Sequence, residues 1–423
     1  MYKMKFDKKT IIDIFFIILV ILNIIYFFIG FYYQHDFSNG GKIDFDHFNN
    51  NLLLFKENKF LEIPWDRYES TTMPIYYLLL KFIIPKNNIF IFKLFGFSIS
   101  IIIIFLIYLV FKIKYNLKKF SIRIFLLSSI PLLSSSYRTD SFFGMEKNFG
   151  LLFLILGIIF FFLKNKNKNY LYLSIFFSCF AFYTKQIYCF LPILIFFLII
   201  DFKNLFCKKN FLYSFLFLIF LIPSFYFFYK WGGLVPPVAA PRIANINFYN
   251  IPVIFGSFLI FVFPLFLIIF LHKKNVVKLS SYKIIFLILF YFFYIFIFLN
   301  IKFQPFGGGP IYKLAMIFED NYFSKIFFLS FTYMGLILSG FFCKQSKEFL
   351  IYFLITSCII FFADNIFFGY LDPLAFITLI FFIPFKFVFF KSNKFILLNF
   401  FYFFILHISY VTYYTYYVGN IIR

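Results

Sequence analysis

The sequence predicts an all-α, polytopic membrane protein with about 13 transmembrane helices, within a range of roughly 11–14. Three observations predict it. Of 423 residues, 63% are hydrophobic and only 13% charged, with a mean hydropathy of +0.91. Soluble domains are far more polar. Apolar runs near or above the ~18 residues a membrane helix needs recur from end to end. Short basic loops alternate along the chain with polar loops that hold most of the acidic residues. A β-barrel would instead show alternating segments of about 10 residues.

The first helix follows a basic N-terminus and covers roughly 10–33. Its apolar run is too long for a signal-peptide core and lacks a small-residue cleavage site, so it reads as a retained helix. A polar segment from about Gln34 to Thr72 comes next, then an amphiphilic piece at 72–85 expected at the interface. Further spans are predicted at 88–111, 120–136, 147–163, 169–184, 186–201, 211–229, 251–271, 282–299, 323–342, 348–363, 366–386 and 396–417. No internal repeat is visible, and residues 1–423 read as a single transmembrane domain.

Charge orders these spans across the bilayer. The loops at 112–123, 164–168, 203–209, 273–283 and 386–394 are short and basic. With the N-terminus inside, all fall on the cytoplasmic side, as the positive-inside bias requires. Of the 17 acidic residues, all but Asp7, Asp13, Asp201 and Glu348 fall on or near the outer face. The net charge of +23 therefore reads as membrane topology and not as a nucleic-acid footprint. The abundance of Phe, Ile, Lys and Asn looks like an A/T-rich coding bias. Five Cys lie scattered through apolar runs without metal or redox spacing. No Asn-x-Ser/Thr sequon occurs, which places a bacterial plasma membrane ahead of the endoplasmic reticulum membrane.

The outer loops are 34–71, 137–146, 230–250 and 300–322, with a brief break near 363–366. The first carries Asp44-Phe45-Asp46-His47. Two carboxylates so placed can share a metal, or one can act as a base while the other positions it. An Asp-x-Asp also arises by chance in any solvated acidic loop. A divalent metal at Asp44 and Asp46 is thus possible but not demanded, and no cofactor is expected.

Asp66 follows Trp65, one of two Trp in the chain. Trp and Tyr favour the interface for their own reasons. Pro74 suits the first turn of a helix whose entry Thr71 or Thr72 would cap. Arg138 and Asp140 stand in the second outer loop. They are able to pair with each other, while the Arg fork also suits phosphate. Lys185 and Gln186 occupy a tight turn between two apolar runs, where a cation either snorkels or faces a cavity. In the fourth loop Gly307, Gly308 and Gly309 precede Lys313, a combination able to cradle an anion or simply to turn. Asp364 and Asp372-Pro373 place acids at the outer end of a late run. No phosphate-binding loop, dinucleotide, metalloprotease or hydrolase motif is present.

In these patches the chain resembles the family-C polytopic glycosyltransferases, which carry an acidic motif in the first outer loop. More narrowly it is similar to the dolichyl-phosphate-glucose α-1,2-glucosyltransferases. Trp65-Asp66, Thr71-Thr72-Met73-Pro74 and Tyr77 resemble that family's Trp-Asp and Thr-Thr-x-Pro-x-x-Tyr stretch. Tyr137-Arg138-Thr139-Asp140 resembles its Tyr-Thr-Asp segment, with Arg138 added. Phe182 to Gln186 resembles its Phe-Arg-Gln-Thr segment, with Lys185 in place of Arg. Asp372-Pro373 resembles a late acidic-Pro motif, followed here by Leu374. The resemblance spans roughly residues 30–380 in scattered patches. Protein O-mannosyltransferases and bacterial lipid-A sugar transferases share the plan.

The resemblance implies transfer of a hexose, of glucose or mannose class, from a polyprenyl-phosphate donor. The acceptor would be a glycan, lipid or protein at the outer or lumenal face. The implied partners are the lipid-linked donor, the acceptor and membrane lipid, without nucleic acid. An acceptor hydroxyl attacks the anomeric carbon and the lipid phosphate leaves. Asp44 is expected as the base, with Asp46 as the close alternative. Arg138, Lys185 and Lys313 are the candidates for the phosphate. His47, Asp66, Asp140, Gln186 and Asp372 are expected to bind substrate. A lipid-linked-glycan flippase or small-solute transporter is the alternative, and it predicts ionisable residues along the middle of spans.

Overall fold

The computed structural model describes residues 8–35, 41–70, 72–84, 88–233, 235–238, 248–272, 281–301, 309–318, 321–361, 381 and 392–413. Among them there is helix, turn and loop, and no β-strand. Seven described helices are long and apolar enough to cross a membrane, so the chain is a polytopic integral membrane protein. It divides into two compact units, one of residues 1–241 and 386–423, the other of 242–385.

The first unit opens with α1 (Lys8–Tyr32), the predicted first span. The polar segment that follows is not an open loop. Most of it folds as α2 (Gly41–Glu57) and two short 3-10 turns, Phe60–Glu62 and Trp65–Arg67. Phe45, Leu52 and Phe55 recur at helical spacing on α2 and are buried, while Asp44 and Asp46 are exposed. That is the pattern of a helix lying on an apolar surface. The amphiphilic piece becomes α3 (Ile75–Ile83), with Pro74 itself at the N-cap and no side-chain cap. Thr71 lies outside the described residues. Thr72 is buried, and its hydroxyl meets that of Ser70 at 2.8 Å instead of capping the helix.

Next come α4 (Ile89–Lys114), α5 (Ile122–Ser128), α6 (Ser135–Phe142), α7 (Glu146–Leu163) and α8 (Asn169–Thr184). Small residues bring α4, α7 and α8 close. A methyl added at Gly96 would overlap backbone at Gly144, and one at Gly150 would meet the Thr184 hydroxyl. The Ser174 hydroxyl donates to the Gly157 carbonyl across α7 and α8 at 2.8 Å. The unit continues with α9 (Phe190–Ile199) and α10 (Lys208–Trp231).

The structure corrects the predicted outer loop at 137–146. Residues 135–142 form α6, and every one from Tyr137 to Phe142 is buried. Hydropathy fell there because a polar helix packs inside protein, not because the chain leaves the bundle. From Ile122 to Phe142 the chain is one broken helix beside α1. Arg123 binds Asp13 at 2.8 Å, Asn23 donates to the Ser129 carbonyl at 3.0 Å, and Arg138 donates to the Tyr26 carbonyl at 2.8 Å. Positions 13 to 26 of α1 span about 20 Å at 1.5 Å per residue. Pro131 sits in the 3-10 turn at the break and brings no N–H. The carbonyls freed there need partners. Asn23 serves Ser129, and Arg138 serves Leu132 at 3.1 Å.

The second unit contains α11 (Asn250–His272), α12 (Ser281–Phe298), α13 (Gly309–Met316), α14 (Tyr322–Gln345) and α15 (Lys347–Phe361). Helices α11 and α14 touch backbone to backbone, since a methyl at Gly335 would overlap the Phe255 carbonyl. Asn321 caps α14 through a reciprocal bond with Ser324. Helix α16 (Asn393–Tyr413) returns to the first unit, where its His407 meets the Tyr26 hydroxyl at 3.0 Å and the Ser135 hydroxyl at 3.2 Å. The predicted span 366–386 lies almost wholly outside the described residues.

Candidate functional site

The corner between α6 and α7 gathers most of the predicted patches. Phe45 of α2 is buried against it, its ring 5.8 Å from Phe92 and 5.9 Å from Phe143. Asp44 and Asp46 flank this anchor and stay exposed. The apolar residue between them therefore fixes where the carboxylates stand. One turn on, His47 pairs with Glu69. The Glu69 backbone N–H donates to Asn51 at 3.0 Å, tying α2 to the segment after the Trp65–Arg67 turn. Asp66 lies in that turn. With Asn50, Glu57, Arg67 and Glu69 it lines a cleft of about 470 Å³.

Beneath α2 lies a buried ionic layer. Phe48 stacks on Tyr77 at 6.0 Å, and the Tyr77 hydroxyl donates to Glu146 at 3.3 Å. On the other oxygen of Glu146 sits Lys185, also at 3.3 Å. Lys147 pairs with Asp140 at 3.0 Å and donates to Ser136 at 2.6 Å. Asp140 thus takes Lys147 and not Arg138. The Tyr188 hydroxyl donates to the Lys147 carbonyl at 3.0 Å. Asn148 spreads its amide over Ser100, Tyr137 and Ser141 at 2.9–3.0 Å.

Helix geometry supports the two pairs. Glu146 opens α7, where the dipole favours a negative charge, and Lys185 ends α8, where it favours a positive one. Burial, and next the nearby Glu146 carboxylate, hold the phenols of Tyr68, Tyr76 and Tyr77 well above their usual range. All three act as neutral donors. Tyr76 bonds the Gly144 carbonyl, and Tyr68 bonds the Thr72 carbonyl at 2.9 Å.

Arg138 is fully buried. Besides its two carbonyl bonds, its guanidinium stacks 4.1 Å from the Tyr26 ring centroid. Gln186 opens the 3-10 turn that follows Lys185. Lys313 is buried on α13 of the second unit. Asp364 and Asp372 lie outside the described residues. Among the described residues no group of three His, Cys, Asp or Glu side chains is placed to hold a metal.

Sequence reasoning missed Glu146, Lys147, Glu69 and Lys93. The first two looked like the polar edge of an apolar run. A usable signal existed: an acid opening one span and a Lys closing the next antiparallel span are set to meet. Lys93 sits inside the predicted span 88–111, where a single Lys leaves the hydropathy high.

No protein-family model, curated protein or solved structure matches the chain.

Proposed function

We propose that this protein is a family-C-like membrane glycosyltransferase with about 13 crossings, moving a hexose from a polyprenyl-phosphate donor to a glycan, lipid or protein acceptor. One observation carries the reading. Asp44 and Asp46 are exposed, yet held in place by the buried Phe45 between them. Exposed carboxylates on an anchored helix suit a general base that must reach an acceptor hydroxyl. Asp44 takes the hydroxyl proton, the hydroxyl oxygen bonds the anomeric carbon, and the lipid phosphate departs with the bonding pair. Cations near that phosphate stabilise its growing charge. Of the cations assigned to it, Lys185 stands at the buried layer beneath α2.

The test compares lipid-linked glycans by mass with and without the chain, together with transfer by the reconstituted protein. A gain of one hexose supports the reading. Full activity in both Asp44→Asn and Asp46→Asn would sink the catalytic assignment.

The buried pairs Asp140–Lys147 and Glu146–Lys185 favour one other reading, a flippase or small-solute carrier, since charges inside a helical bundle often mark a path. Movement of labelled substrate across vesicles with no transfer product would select it.

A further inference from the structure

Lys93 is a buried cation near α2 that neither the ion pairs nor the proposed chemistry uses. It lies in the second turn of α4 and is only 8% exposed. Its ammonium stands 4.7 Å from the Phe45 ring centroid and 5.0 Å from that of Phe143. Its hydrogen-bond partner is neutral: Oε1 of Gln34, at 2.7 Å. Among the described residues no carboxylate lies within 4.0 Å of it. The acid that acts on it is Asp46, exposed and beyond pairing distance.

A buried ammonium without a counter-charge is costly, because two rings and one amide replace only part of its hydration. It carries three donors, and the amide uses one. An anion oxygen is the partner it lacks. Gln34 is the movable part. It is exposed at the end of α1, and its φ of 49° is a conformation that non-glycine residues hold poorly. Its amide oxygen occupies the place an anion oxygen would take, and its exposed side chain is free to swing into solvent.

The depth of the site selects the anion. Lys93 stands in the second turn of a helix long and apolar enough to cross a membrane, and the headgroups of lipids lie at the ends of such helices. Phosphate is the anion found there. We propose that Lys93 binds the phosphate of a lipid, displacing Gln34, within the aromatic cage of Phe45 and Phe143. The proposal deepens the transferase reading, because the anchored Phe45 would place that phosphate beside Asp44 and Asp46.

The experiment measures equilibrium binding of farnesyl phosphate to the purified full chain in detergent. Farnesol, phosphatidic acid and inorganic phosphate serve as comparison probes. Charge-assisted hydrogen bonds set the scale, so Lys93→Gln is expected to weaken farnesyl phosphate by about tenfold or more. Lys93→Arg should stay within about threefold. Farnesol should bind far more weakly. Competition by phosphatidic acid identifies a general lipid-phosphate site, and competition by inorganic phosphate alone shows that the headgroup suffices. Equal binding of farnesol, or wild-type affinity in Lys93→Gln, overturns the proposal. Should Lys93→Gln not fold, Gln34→Ala decides: unchanged or tighter binding supports displacement, and clear weakening overturns it. Lys93-dependent binding without any sugar transfer would leave this site standing and remove the transferase reading. Transfer with Lys93-independent binding would do the reverse.

Discussion

The Lys185 ammonium stands 3.3 Å from Oε1 of Glu146, joining the end of α8 to the start of α7. The carboxylate is nearly inaccessible, at 2% exposure, whereas the Lys side chain keeps 22%. The two partners are therefore unequal. Removing Lys185 strands a buried charge, while removing Glu146 leaves a cation with some access to water.

That inequality gives the first prediction. Lys185→Met should destabilise the protein by about 3–5 kcal/mol, the usual range for a broken buried pair. Glu146→Gln should cost less, and the double variant less than the sum. Denaturant unfolding in detergent over the full double-mutant cycle measures the coupling. Additive single effects would show that the pair is electrostatically idle.

Asp44 and Asp46 should behave in the opposite way. Both are exposed, so Asp44→Asn and Asp46→Asn should leave stability within about 0.5 kcal/mol. Loss of a general base should lower transfer by roughly 10²–10⁴-fold in the variant that removes it. Initial rates with a polyprenyl-phosphate hexose identify which of the two acts.

Gly96 and Gly335 each lie where a methyl would overlap backbone of a neighbouring segment. Backbone cannot rotate aside as a side chain can. Gly96→Ala and Gly335→Ala should each destabilise by about 1–3 kcal/mol. Gly340, where a methyl meets nothing, is the control. Thermal unfolding of the three variants tests the contrast.

Lys313 predicts a pH dependence. Burial pulls its ammonium down to about 8. The unfolded chain holds that proton up to about 10.5, so between pH 8 and 10.5 the unfolded state binds more protons. Stability from this residue is therefore lowest below pH 8 and rises as pH climbs toward 10.5. Against Lys313→Met, the wild type should be relatively weaker at pH 7 and gain ground by pH 10. Paired unfolding curves across that interval check the sign.

Most helices were legible in the sequence, because an apolar run long enough to cross a bilayer has few other folds available. Helices α1, α4, α7, α8 and α14 begin and end close to the predicted spans. The exceptions share one cause. Hydropathy reports what a residue does in lipid, not what it does against protein. Tyr137, Arg138, Thr139 and Asp140 scored as a loop, yet they lie buried on α6. Lys93 scored as span, yet it stands under α2 beside Phe45. In the candidate site, Asp44, Asp46, His47, Asp66, Asp140 and Lys185 were legible as polar residue types in the breaks between predicted spans. The pairings His47–Glu69 and Asp140–Lys147 were not, since they depend on packing that a linear pattern does not encode, whereas Glu146–Lys185 left a trace as an acid opening one span and a Lys closing the next.

The broken helix from Ile122 to Phe142 bears on how the chain is made. Alone in lipid, Arg138 and Asp140 would each oppose insertion by about 2.5–3.5 kcal/mol. Helix α1, synthesised earlier, offers Arg138 the Tyr26 carbonyl. Lys147 on α7, synthesised just after, offers Asp140 its counter-charge. Membrane integration of this segment is then a joint event, with α1 waiting and α7 following. His407 of α16 reaches Ser135 only when some 270 further residues have left the ribosome. Until then the polar end of α6 keeps one place open for a helix that has yet to arrive.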